Sequence, residues 1–240
     1  MPAARPPLPP FVELGFYSEH LRPDDLLLSV ATVLAERGGR TESYHVHRGR
    51  GIVGTKSVSE HERVRVPLES LAGLSELRDD LLISVEMSNA LSYDNGRFTT
   101  ITRVIDEVDS SASLVAVLGS GTDFEGQKAA KFGKAGREVK EIFLSIVRAT
   151  ESSFATITVD WPIASPQAIQ GDIAAVGDYS DYFVAQSFVG AAAIAELSTL
   201  AGSVRIDDGV LVLTTGCFGG RNGNRSAAAA SFARAISRRR

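Results

Sequence analysis

The residues best suited to binding a ligand form a glycine-rich segment that follows an apolar run at 210–213. Those that we expect to contact the ligand are Gly216, Gly219, Gly220, Arg221, Asn222 and Arg225. Glycines let the main chain approach an anion closely, and the alanine-rich run from Ser226 predicts a helix whose N-terminus faces the loop. Each of the two arginines can hold a phosphate or carboxylate through paired N–H groups. The segment therefore predicts a site for a phosphorylated or nucleotide ligand.

The same segment also fits a loop with a purely structural role. It contains neither the G-x-x-x-x-G-K-[ST] pattern nor a regular G-x-G-x-x-G pattern. Cys217 and Arg225 lie further apart than the cysteine and arginine of thiol-dependent phosphatases. Asn222 with Gly223 is typical of a turn, and either Asn224 or Ser226 suits the N-cap of the following helix. Both interpretations stay open, as does the role of Cys217.

Histidines provide a second possible site. His45 and His47 alternate along a predicted strand, so their side chains share one face at a spacing compatible with two ligands to one metal ion. No third ligand is fixed by the pattern, and the surrounding segment carries more basic than acidic residues, which would repel a cation. We therefore predict no metal and no cofactor. No catalytic residue is assigned, so whether the chain is an enzyme stays open.

Charge and composition narrow the classes of function. The 240 residues carry a net charge of −4, but residues 221–240 contain six arginines and no acid, so residues 1–220 carry −10. An acidic body repels nucleic-acid phosphates, which argues against nucleic-acid binding outside the arginines at 238–240. One cysteine cannot form an intrachain disulfide, and no apolar run is long enough to cross a bilayer. We expect a cytoplasmic protein without a membrane partner.

The elements that must position these residues alternate between strands and helices. An extended run begins at Phe11, and a helix follows from Pro23 to the glycines at 38–39. Asn95–Gly96 and Asp208–Gly209 predict hairpins, which require antiparallel strand pairs. Further helices are predicted at 137–149, at 191–200 and from 226 onward. The fold class is therefore α+β, or α/β with antiparallel hairpins, and we expect a mixed sheet covered by four to five helices.

The domain organisation follows from the distribution of proline and from one internal similarity. Five prolines in residues 1–10 predict a disordered tail, and residues 11–240 are predicted to form a single α+β domain. Phe11–Gly39 and Tyr182–Gly202 each predict a strand, a helix and a glycine stop. A subdivision at 11–120 and 121–240 would then separate two related halves.

Two functions follow as hypotheses. The first is a non-enzymatic protein-binding module, such as an inhibitor or an immunity-type partner. It is favoured by the acidic body, which suits electrostatic recognition, and by the lack of a recognisable catalytic pattern. The alternative is a small enzyme or binding protein that holds a phosphorylated or nucleotide ligand in the loop at 216–226.

Overall fold

A computed structural model describes residues 11–48, 62–67, 81–91, 98–104, 113–120, 129–159, 163, 165–171, 180–212 and 225–238. They form ten strands and six helices. The strands are β1 Phe11–Ser18, β2 Arg40–Arg48, β3 Glu62–Pro67, β4 Leu81–Ser88, β5 Phe98–Val104, β6 Ser113–Ser120, β7 Phe154–Val159, β8 Ser180–Ala185, β9 Ser203–Ile206 and β10 Gly209–Val212. The helices are α1 Pro23–Glu36, α2 Ala129–Ala149, α3 Pro166–Gly171, α4 Gln186–Val189, α5 Ala191–Ser198 and α6 Arg225–Ser237.

All ten strands belong to one sheet, in the order β3-β2-β4-β5-β6-β1-β7-β8-β10-β9. Each of the neighbouring pairs within these strands is antiparallel. The α+β class is confirmed, but the expected mixed sheet is replaced by an antiparallel one. The reason lies in the connection through α2: it joins β6 to β7, and β1 lies between those two strands and runs opposite to both. A helical crossover therefore produces no parallel neighbours here.

One face of the sheet, which we call the first face, is covered by α1 and α2. Helix α1 buries the apolar stripe that its sequence predicts, including Leu26, Leu27 and Val30. Pro23 occupies its first turn, where a missing N–H costs nothing. Helix α2 packs beside it, and its Phe143 ring lies 5.4 Å from the ring of Phe16 in β1. The two helices and the sheet share one apolar core.

The opposite, second face of the sheet carries a separate apolar cluster beneath α5 and α6. Alternate residues of β8 divide between the two clusters: Tyr182 and Val184 pack here, whereas Phe183 packs on the first face. Phe232 of α6 stacks on Tyr182 with ring centroids 4.5 Å apart. The second core is thus organised around aromatic contacts between α6 and β8.

Several predicted elements are confirmed, with shifts at their ends. The strand at 154–159 is β7, and the antiparallel pair on either side of Asn95–Gly96 is β4 with β5, although that turn lies outside the described residues. Residues 186–188, predicted as the end of a strand over 182–188, lie in the short helix α4. The predicted tail at 1–10 also lies outside the described residues. The domain limits and the two related halves stay predictions.

The hairpin between β9 and β10 is confirmed, but its turn lies one residue earlier than predicted. Asp207 and Asp208 connect the strands, and Gly209 pairs with Ile206 as part of β10. Glycine is needed at 209 for packing, since a Cβ atom there would lie 2.5 Å from the ring of Phe183. None of the helices in the described ranges is long and apolar enough to cross a membrane.

Candidate functional site

Most of the predicted anion site falls outside the described residues. This applies to Gly216, Gly219, Gly220, Arg221 and Asn222, and also to Cys217. Arg225 is the first residue of α6, one position before the predicted helix start at Ser226. At the other end of α6, Arg238 forms an ion pair with Glu196 of α5, with 2.8 Å between Nη1 and Oε2. At least one of the C-terminal arginines is therefore bound within the fold.

The histidine pair lies on β2, as predicted, and the structure supplies His45 with a partner that the sequence did not indicate. Its Nε2 atom lies 3.2 Å from Oε1 of Glu86 on the adjacent strand β4. The second oxygen of the same carboxylate accepts a hydrogen bond from Ser43. Among the described residues, no group of three or more His, Cys, Asp or Glu side chains is arranged to hold a metal ion. The Glu86 carboxylate therefore binds and orients the His45 imidazole.

A cleft of about 510 Å³ opens on the first face, where α2 ends beside the sheet. Its apolar floor consists of Val147, Phe183 and Ala185, all of them buried. Its remaining walls are polar: His20, Arg148, Glu151, Ser152, Ser187, Asp207 and Asp208. A volume of this size is in the range of pockets that hold small ligands.

Backbone hydrogen bonds join the segments that form the cleft. The N–H of Ser153 donates to the carbonyl of Tyr17 at 3.0 Å, and the N–H of Ala185 donates to the carbonyl of Ser153 at 2.9 Å. The N–H of Gln186 donates to the carbonyl of Asp208 at 3.1 Å, which fixes the β9–β10 turn against the start of α4. The end of β1, the turn after α2, the end of β8 and the β9–β10 turn are thus held together before any ligand arrives.

Glu151 reaches the cleft through an unusual helix end. The N–H of Ser152 donates to the carbonyl of Val147, and the N–H of Glu151 donates to that of Arg148. This is the Schellman arrangement, in which the residue after the C-cap adopts a left-handed conformation and is usually glycine. Glu151 has φ of +46°. A side chain in this conformation costs about 1 kcal/mol of backbone strain, and here it places a carboxylate at the rim of the cleft.

Asp207 is the second non-glycine residue at the cleft with a left-handed backbone, with φ of +50°. Its Oδ2 atom accepts a hydrogen bond from Nε of Arg148 at 2.8 Å, across the cleft from the turn to the helix. Both side chains are more than half exposed, so water screens the pair and its contribution to stability is small. The pair joins the turn to the end of the helix at the rim.

The polar rim carries an excess of negative charge. Glu151, Asp207 and Asp208 contribute three carboxylates against the single guanidinium of Arg148. Of these, the carboxylates of Glu151 and Asp208 form no hydrogen bond or ion pair with any residue of the described ranges. An apolar floor below two uncommitted carboxylates suits a cationic group carried on an aliphatic stem.

Sequence reasoning missed this cleft, although signals for it were present. Between the last core residue of α2, Val147, and the first of β7, Phe154, there is neither glycine nor asparagine. A helix must nevertheless turn into a strand there, so a residue with a side chain has to take the left-handed position. The Asp207–Asp208 pair was interpreted only as part of a hairpin. Comparison of the chain with protein-family models, with curated proteins and with solved structures gives no match.

Proposed function

We propose that the chain is a non-enzymatic protein-binding module, of the inhibitor or immunity type, and that its partner inserts a basic segment into the cleft at the end of α2. The observation that carries this proposal is the combination of an apolar floor with three carboxylates and one guanidinium at the rim. A protein side chain with an aliphatic stem and a cationic end complements both parts.

The charge of the whole chain also favours a basic partner. The body of the chain is strongly acidic, with a net charge of −10 over residues 1–220. Such a surface attracts a basic partner and accelerates its association, and the effect weakens as salt is added. The backbone hydrogen bonds that join the cleft walls reduce the entropy lost when a partner binds, because these segments are already ordered.

The experiment uses the full chain and a fluorescent decapeptide in which arginine alternates with glycine and serine. We expect saturable binding by fluorescence anisotropy at low salt, and a progressive loss of affinity as the salt concentration rises. A peptide with glutamate in place of arginine should not bind. The proposal is wrong if the basic peptide fails to bind, or if Asp208→Asn and Glu141→Gln weaken it equally, because Glu141 is an exposed carboxylate of α2 outside the cleft.

Binding of a phosphorylated or nucleotide ligand at 216–226 is the second candidate function. It is supported by the start of α6 at Arg225, since a helix N-terminus attracts anions. Arg221→Ala and Arg225→Ala should then remove the thermal stabilisation that a nucleotide gives the parent protein, without lowering the melting temperature in the absence of nucleotide. The absence of any thermal shift in the parent protein would exclude this candidate.

A further inference from the structure

We infer that the occupant of the cleft is an arginine side chain and that Glu151 and Asp208 are the residues that recognise it. This inference rests on the proposed function and names the chemistry of the partner at the same site. It assigns different roles to the three rim carboxylates, according to the partners that each already has.

The carboxylate of Asp207 already has an ion-pair partner within the protein. It faces the Arg148 guanidinium at 2.8 Å, so much of its charge is already balanced. Glu151 and Asp208 have no such partner among the described residues, and both are exposed at the rim. An incoming cation therefore encounters these two carboxylates as its available acceptors.

The two acceptors belong to different walls of the cleft. Glu151 follows α2, whereas Asp208 lies in the turn between β9 and β10, and the carbonyl of Asp208 is fixed by the N–H of Gln186. A planar guanidinium has five N–H donors and can bond two carboxylates at the same time. An ammonium group offers a compact charge that is more strongly hydrated, so a lysine loses more hydration when it enters.

The floor of the cleft suits the rest of an arginine side chain. Val147, Phe183 and Ala185 offer apolar atoms to its aliphatic stem. The positive charge of Arg148 is paired with Asp207, which leaves the carboxylates of Glu151 and Asp208 as acceptors for a second cation. The apolar floor therefore complements the aliphatic stem, and the rim carboxylates complement the charge of the guanidinium.

The test compares three peptides that are identical except at one position, which holds arginine, lysine or citrulline. Citrulline has nearly the shape of arginine but no charge. For the parent protein we expect the arginine peptide to bind about tenfold more tightly than the lysine peptide, as for bidentate charge-assisted hydrogen bonds, with the citrulline peptide weakest. Isothermal titration calorimetry at a fixed low salt concentration gives the affinities.

Variants then test the assigned residues. Glu151→Gln and Asp208→Asn should each weaken the arginine peptide about tenfold and reduce the preference for arginine over lysine. Glu141→Gln likewise removes one exposed carboxylate, from α2 outside the cleft, and should leave the affinity unchanged. Circular dichroism and the melting temperature establish that each variant is folded.

The outcomes separate this inference from the proposed function. If no peptide binds to the parent protein, the proposed function fails and this inference fails with it. If basic peptides bind but arginine and lysine are equivalent, or Glu151→Gln behaves as Glu141→Gln does, the inference alone is overturned.

Discussion

Helices α1 and α2 end in the same hydrogen-bonded motif but place different residues at its critical position. In α1, the N–H of Gly39 donates to Leu34 and that of Gly38 to Ala35, both at 2.9 Å. In α2, the corresponding distances are 3.1 Å for the Ser152 bond and 3.4 Å for the Glu151 bond. The left-handed residue is Gly38 in one helix and Glu151 in the other.

The difference lies in the side chain that each helix end carries in the left-handed conformation. Gly38 has open space around it, and no atom lies within 4 Å of the position of a Cβ atom. Glycine is therefore favoured there by the backbone conformation and not by packing. Glu151 carries the strain that a glycine would relieve, and in exchange it presents a carboxylate to the cleft. Strained backbone of this kind concentrates at binding sites, where the side chain is needed.

The largest effect should come from a side chain at the α1 end. Gly38→Ala forces alanine to adopt φ of +101°, and we expect a loss of about 1–2 kcal/mol in the free energy of unfolding. Because no neighbouring atom collides with the new methyl group, the loss reports the backbone alone. Urea denaturation measures it, and an unchanged midpoint would mean that the two helix ends do not differ as described.

The reverse substitution at the α2 end should be stabilising. Glu151→Gly removes the strained side chain, and we expect a gain of about 0.5–1 kcal/mol together with weaker binding of the basic peptide. Glu141→Gly is the matched control within α2, where glycine in the helix interior should cost about 1 kcal/mol. Equal losses in both variants would contradict the assignment of strain to Glu151.

The smallest effect is expected at the start of α1, where a carboxylate is partly buried. Burial raises the pKa of Asp24 above its ordinary value, although Arg103 lies 3.5 Å away and opposes the shift. The folded state therefore binds this proton more tightly than the unfolded state, and the charged form is disfavoured as the pH rises through the raised pKa. Asp24→Asn should give a slight gain in melting temperature at pH 7.

The pH dependence of that gain provides the check. Below the ordinary carboxyl pKa, the parent protein is protonated at this position in both states, so the difference between parent and variant should disappear. A gain that is constant from acid to neutral pH would show that the charge of Asp24 is not its cause. Thermal melts of both proteins across this range give the answer.

Local patterns were sufficient for most elements of the fold. The apolar stripe and the flanking proline and glycines predicted α1, and the residues at 154–159 predicted the strand β7, because these features depend on residues close together in the chain. The strand order could not be predicted, since β1 pairs with β6 and β7 through contacts between segments distant in sequence. For the same reason we predicted a mixed sheet, whereas the observed sheet is antiparallel.

The candidate site was harder to predict for a related reason. Arg148 and Asp207 are adjacent only because the sheet brings the end of α2 to the β9–β10 turn. The predicted site instead relied on the glycines at 216–220, because glycine indicates a loop by its residue type alone. Residues that form a cleft through tertiary packing carry no such local signature.

The central position of β1 has a consequence for the folding of the protein. This strand precedes both of its neighbours in the sheet, which are residues 113–120 and 154–159. Both edges of β1 are therefore paired only when segments about 100 and 140 residues further along the chain reach it. We therefore expect the pairing of β1 to be a late and slow step of folding, because it requires contacts between segments distant in sequence.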